Sequence, residues 1–77
     1  MKREFLIKIR KSFNWSQKQV VYELEVKYSI KITSSYYGMI EQGVRSPNLH
    51  LAIAISKLFN TDIENIFLIN NATKSCI

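Results

Sequence analysis

The sequence contains few of the residues that build metal sites, disulfide frameworks or membrane anchors. It has one cysteine, Cys76, and one histidine, His50. A single cysteine excludes an internal disulfide, and one histidine cannot make a metal-ligand cluster. The charged N-terminal region has no uninterrupted apolar run, which argues against a signal peptide or a membrane span. We therefore expect a cytoplasmic protein with no metal, no cofactor and no membrane partner.

Acidic residues and catalytic patterns are also scarce. Six Asp and Glu residues face eleven Lys and Arg residues, so the net charge is +5 and the isoelectric point is near 9.6. This balance favours an anionic partner such as nucleic acid. The sequence shows no recognisable pair of nucleophile and base, no paired carboxylates and no phosphate-binding loop. We therefore expect that the protein is not an enzyme and has no small-molecule effector site.

The length and the apolar content predict one small folded domain. A chain of 77 residues buries only roughly 60% of its unfolded surface, so its core is thin. A hydrophobic content of 47% is sufficient for folding. We expect the domain to span residues 1–69 and a polar tail to span 70–77.

Helical spacing and a capping pattern predict the first two helices. The first covers about residues 2–13 and the second begins at about Gln17, behind a capping box formed by Ser16 and Gln19. The second helix runs to about Lys27, although alternation over 26–32 also fits a strand; we favour an extended connector there. The expected inward residues are Leu6, Ile9, Phe13, Val20, Val21 and Leu24, with Trp15 against Val20 or Val21.

A third, short helix is predicted between Thr33 and Gly43. Thr33 can cap its start, and Gly43 can adopt the left-handed conformation at its end. Tyr37 and Ile40 are three residues apart and face inward together. The outer face is then uncharged and suited to contact a partner; it consists of Ser34, Ser35, Tyr36, Gly38 and Met39.

Two further helices complete an all-α domain of five helices. Pro47 interrupts the chain, and Asn48 caps a helix that runs to about Phe59. A capping box at 61–64 opens the last helix. The expected inward residues are Leu49, Ala52, Ile55 and Phe59 in the fourth helix, and Ile63, Ile66 and Phe67 in the fifth.

Several short motifs, taken together, resemble one family over roughly residues 5–68. They are Arg10, Trp15-Ser16-Gln17, Ile40-Glu41-Gln42-Gly43, Arg45-Ser46-Pro47-Asn48-Leu49 and residues 61–67. The chain resembles the lambda-repressor-like, Cro and xenobiotic-response-element (XRE) class of bacterial and phage transcription regulators. The resemblance implies a five-helix DNA-binding domain whose second and third helices form a helix-turn-helix. The connector between these two helices is about six residues longer than is usual in the family.

The same resemblance implies a function and a set of sites. The function is that of a transcription regulator, a repressor, which binds double-stranded DNA with the helix at about 33–42 in the major groove. The base-contacting residues are then Ser34, Ser35, Met39 and Tyr36. The phosphate-contacting residues are Gln17, Lys18, Gln42, Arg45 and, more weakly, Lys11. Arg10 and Glu41 match the family's structural ion pair.

Two alternatives stay open at this point. One group of apolar residues either forms a homodimer face or completes the small core. It consists of Leu51, Leu58, Leu68 and Ile69. The uncharged third helix also suits a protein-interaction module, such as an antitoxin or an adaptor.

Overall fold

The computed structural model describes residues 2–67, and this part of the chain consists of helices joined by short connections. The expected five-helix, all-α architecture is confirmed. The helices are α1 (Glu4–Ser12), α2 (Gln17–Tyr28), α3 (Ser34–Glu41), α4 (Leu49–Leu58) and α5 (Ile63–Phe67).

Side-chain caps begin three of the helices, as predicted. The side-chain oxygens of Ser16, Thr33 and Asn48 accept hydrogen bonds from backbone N–H groups three residues later, at 3.0, 3.0 and 2.8 Å. Each satisfies an N–H group that has no partner within its helix. The capping box at α2 is only half formed. The side-chain amide of Gln19 donates to Glu23 and not back to the start of the helix.

The core lies between all five helices, and α4 supplies the largest share of it. Leu6, Val20, Leu24, Tyr37, Ile40 and Ile55 are fully buried. Two neighbours, α2 and α5, pack against α4, so a wide arc of that helix is covered. His50, the one histidine, is exposed.

The inward stripe predicted for α4 is partly wrong. Leu49 is 69% exposed, whereas Leu51 and Leu58 are only 4% and 8% exposed and belong to the core. Because α2 and α5 cover α4 together, the buried arc extends to these two leucines, whereas Leu49 lies outside it. Leu51 and Leu58 are therefore unavailable to a homodimer face in this fold. Leu68, Ile69 and the tail at 70–77 lie outside the described residues.

Three aromatic rings close the turn between α1 and α2 onto the end of α4. The centroids of Phe13 and Trp15 are 5.0 Å apart, and both rings contact Phe59, at 5.3 and 5.8 Å. Such pairs contribute about 0.5–1.5 kcal/mol beyond their buried area. Phe13, expected to be inward, is 40% exposed and forms the outer member of this cluster. Trp15, expected against Val20 or Val21, contacts both of the other rings and packs against the core cluster that includes Val20.

The long connector before α3 is firmly attached to the domain. Its first part extends α2 to Tyr28, one residue beyond the predicted end. Ser29 then adopts the left-handed conformation (φ 57°), and the Ile30 N–H donates to the Leu24 carbonyl at 3.2 Å, which makes a Schellman-type end. Ile30 and Ile32 pack against the core. The connector between α2 and α3 is therefore held against the core directly before α3 begins.

Replacing either of two leucines in α4 tests which of them belongs to the core. We expect Leu51→Ala to lower the free energy of unfolding by about 2–5 kcal/mol, because it leaves a cavity. Leu49→Ala, the matched control in the same helix, should change it by less than about 0.5 kcal/mol. Urea denaturation at a protein concentration too low for self-association measures both values. A larger loss for Leu49→Ala than for Leu51→Ala would contradict the described packing.

Candidate nucleic-acid interface

The orientation of α3 is set by its buried residues. Tyr37 and Ile40 are fully buried, as predicted, and the helix ends in Glu41, which is also buried. Gly43 has the positive φ of 80° expected at the end of the helix. These contacts direct the opposite side of α3 away from the core.

The predicted outer face is present, but its members differ in exposure. Ser35 is exposed and Met39 is 40% exposed. These two residues are four apart and share one helical face. Ser34 and Tyr36 are half-buried, and the Tyr36 ring packs against the core. Ser35 and Met39 are therefore the most accessible of the four residues predicted to contact bases.

A bidentate ion pair joins α1 to the end of α3, and it is the pair that the sequence predicted. Arg10 Nε donates to Glu41 Oε2 at 2.6 Å, and Arg10 Nη2 donates to Glu41 Oε1 at 3.1 Å. The third donor, Nη1, reaches the Trp15 carbonyl at 2.9 Å. One guanidinium group thus holds α1, the α1–α2 turn and α3 in fixed relation.

The two charges stabilise each other. Hydrogen bonding to Glu41 raises the pKa of Arg10 above its usual value, despite some loss of solvation. Burial alone would raise the pKa of Glu41, but hydrogen bonds from Arg10 and Gln17 outweigh it and hold that pKa below its usual value. Both groups are therefore charged at neutral pH.

Gln17 is part of the same network. Its Nε2 donates to Glu41 Oε1 at 3.0 Å, so the start of α2 is bound to the end of α3. The side chain lies close to Gly38, where an added Cβ would come within 3.2 Å of Gln17 Oε1. Glycine at position 38 lets the amide lie directly on the α3 backbone. Gln17, expected to hold a phosphate, thus has a structural contact as well.

The Tyr37 hydroxyl is buried beside this network without a hydrogen bond of good geometry. Burial, followed by the negative charge of Glu41, raises the pKa of the Tyr37 hydroxyl above its usual value. The hydroxyl therefore stays neutral at all ordinary pH values and serves in packing.

The other predicted phosphate contacts are all on the surface. Lys11 is exposed at the end of α1, and Lys18 is exposed in the first turn of α2. Gln42 and Arg45 are exposed directly after α3. Gln42 and Arg45 thus follow the helix whose outer face carries Ser35 and Met39.

Sequence reasoning missed Arg3, which contacts the end of α3. Its Nη1 donates to the Ile40 carbonyl at 2.7 Å and to the Arg45 carbonyl at 3.2 Å. Its guanidinium also lies 5.2 Å from the centre of the Phe67 ring. Partial burial lowers the pKa of Arg3. Nothing in the sequence distinguishes Arg3 from the other basic residues near the N-terminus.

The described residues offer neither a metal site nor a membrane span. Between residues 2 and 67, no group of three or more His, Cys, Asp or Glu side chains could hold a metal ion. None of the helices in that range is long and apolar enough to cross a membrane.

Comparison with known proteins matches the chain to a family. A family model described as helix-turn-helix matches residues 6–66, which is most of the chain. No curated protein and no solved structure matches significantly.

Replacing Glu41 by Gln tests the buried ion pair through its dependence on pH. The variant keeps the shape but leaves Arg10 without a carboxylate, so we expect a loss of about 3 kcal/mol in the free energy of unfolding at pH 7. Because the pKa of Glu41 is lower in the folded state, its contribution is complete above the unfolded pKa of about 4.3 and is lost as the pH falls through the folded value. The variant and the wild type should therefore converge in acid.

Glu25→Gln is the matched control, since Glu25 is exposed and lies 3.9 Å from Lys31. That change should cost less than about 0.5 kcal/mol at any pH. Thermal and urea unfolding of all three proteins between pH 7 and pH 3 measures the difference. If Glu41→Gln lowers the free energy of unfolding equally at pH 7 and at pH 3, charge pairing is not the cause of the loss.

Proposed function

Because this chain belongs to the lambda-repressor-like (XRE) helix-turn-helix family of DNA-binding regulators, we propose that it is a sequence-specific repressor that places α3 in the major groove of duplex DNA. The observation that carries the proposal is the fixed orientation of α3. The Arg10–Glu41 pair and the burial of Tyr37 hold this helix with its uncharged side outward. Its site of action is then the cytoplasm, where the bacterial or phage DNA lies.

Phosphate contacts set the position of α3 on the duplex in this proposal. The net charge of +5 attracts the DNA backbone. Lys18 and the free N–H groups at the start of α2 bind one phosphate, because the helix dipole favours an anion there. Gln17 contributes its second Nε2 proton, since the first is donated to Glu41. Gln42 and Arg45 bind the backbone beyond α3, and Lys11 adds a weaker contact.

Base contacts come from the outer side of α3. Ser35 and Met39 are the principal readers, since they are the more exposed pair. A serine hydroxyl can pair with donors or acceptors, and Met39 can pack on a thymine methyl group. Ser34 and Tyr36 contribute at the edge of this face. None of these side chains offers a bidentate fork, so discrimination at each base is modest.

A second candidate function rests on the same uncharged face. A surface with Ser35 and Met39 and no charged side chain also suits a protein partner, as in an antitoxin or an adaptor. The basic net charge favours DNA over this alternative. Two results together would establish the alternative: salt-independent binding to a protein partner and no binding to duplex DNA.

Selection from random duplexes, followed by binding measurements at several salt concentrations, tests the DNA proposal. Arg45→Ala and Lys18→Ala should weaken binding to every sequence and lower the salt slope by about one each. Ser35→Ala and Met39→Ala should change which sequence is preferred. Lys57→Ala, which removes an equal charge from the last turn of α4, is the control and should retain the wild-type slope. Failure to enrich any sequence would refute the proposal.

We also propose that the protein binds its site as a homodimer. One recognition helix covers too few base pairs for useful specificity, and two-fold symmetric sites solve this problem. Leu49 and Ile53 lie one turn apart on α4, are exposed, and provide an apolar surface for a second copy. This surface replaces the face that included Leu51 and Leu58.

Sedimentation over a range of concentrations tests the homodimer. We expect dimers at high concentration and a palindromic selected site. Leu49→Glu should shift the protein to the monomer, because a charge would have to be buried in the contact. Lys8→Glu, at an exposed residue of α1 and so away from this face of α4, is the control and should leave the dimer unchanged. A wild-type monomer at millimolar concentration would contradict the homodimer.

A further inference from the structure

The loop after α3 is closed by Arg3, the residue directly before α1. The Met39 carbonyl accepts hydrogen bonds from the N–H groups of Val44 and Arg45, at 3.0 and 3.3 Å. The Ile40 carbonyl accepts one from the Gly43 N–H at 3.1 Å. These bonds join the loop to the last turn of α3. Arg3 then adds bonds to the Ile40 and Arg45 carbonyls from outside it.

Both backbone groups of Arg45 are consequently occupied. Its N–H donates to α3 and its carbonyl accepts from Arg3. The Arg3 backbone N–H also donates to the Glu41 carbonyl, at 2.8 Å. Since Arg45 is exposed, its side chain extends toward solvent from a backbone that is held on both sides.

We propose that Arg3 is a positioning residue for DNA binding, which holds the end of α3 and the Arg45 backbone in one fixed arrangement. This inference rests on the proposed function, because it assigns Arg45 to a phosphate. Arg3 acts through Arg45 and does not itself contact DNA. It thereby fixes the distance between the base-reading face of α3 and the phosphate contact that follows it.

The physical chemistry of the contact favours this role over general attraction to DNA. The last carbonyls of a helix have no partners within the helix and carry partial negative charge, so a guanidinium placed there is stabilised. Hydrogen bonds from a charged donor are among the stronger ones in proteins. Contact with the Phe67 ring further restricts the orientation of the guanidinium.

Hydrogen exchange in the free protein tests the positioning step without DNA. In Arg3→Ala, the Val44 and Arg45 amides should exchange about tenfold faster, because both hydrogen bonds from the guanidinium are lost. The Leu24 amide in α2 should be unchanged, which shows that the fold is intact. Arg3→Lys keeps a cationic donor and should restore part of the protection. Lys2→Ala, which removes the neighbouring exposed charge, should have no effect.

If Arg3→Ala leaves the loop amides as protected as in the wild type, the inference is overturned, whatever the protein binds. If Arg3→Ala unfolds the domain, Arg3→Lys decides the question. Reduced protection of the Val44 and Arg45 amides, with the rest of the domain unchanged, supports positioning. Protection of these amides equal to that of the wild type refutes it.

A double-mutant comparison tests whether Arg3 acts through Arg45. Arg45→Ala should lower the salt slope of DNA binding by about one. Adding Arg3→Ala to it should lower the slope no further, because the phosphate contact is already lost. A fall of about two would show that Arg3 binds a phosphate directly and would overturn the inference. Loss of loop protection with no DNA binding by the wild type would refute the proposed function but not the contact itself.

Discussion

The buried pair between Arg10 and Glu41 is the interaction on which the rest of the structure depends. A helix of eight residues, such as α3, is not stable alone and takes its form from the contacts around it. The pair fixes the last turn of α3 through two directional hydrogen bonds. The same guanidinium reaches the α1–α2 turn, and Gln17 reaches the same carboxylate from α2. One charge pair thus determines how three helices meet.

Such a pair contributes orientation more than stability. Removing two charges from water is costly, and apolar residues of similar volume often stabilise a core as well or better. Apolar packing alone, however, tolerates small rotations, whereas a bidentate pair has one preferred geometry. A helix that is to read base edges needs a fixed rotation and a fixed depth. Arg3 constrains the loop after α3 in the same way, through directional hydrogen bonds to the Ile40 and Arg45 carbonyls.

Local chemistry made much of the fold predictable. Caps at Ser16, Thr33 and Asn48 and the glycine at position 43 act over a few residues, so their effects could be predicted and are confirmed. Leu49 was wrongly assigned to the core, and the position of Leu51 was left open, for a different reason. The spacing of apolar residues defines a face only when one neighbour covers a helix, and α4 is covered by both α2 and α5. The contact between Trp15 and Phe59 was also not predicted, because it joins the α1–α2 turn to the end of α4.

Sequence alone determined the number of helices, their approximate ends and, through the family resemblance, the Arg10–Glu41 pair. These features depend on local hydrogen bonding and on motifs that are legible along the chain. Tertiary structure alone decided which leucines of α4 are buried, that Gln17 is bonded to Glu41, and that Arg3 binds the end of α3. The Arg3–Ile40 bond joins residues 37 positions apart. No local pattern specifies such a contact, because it exists only after the helices have been brought together.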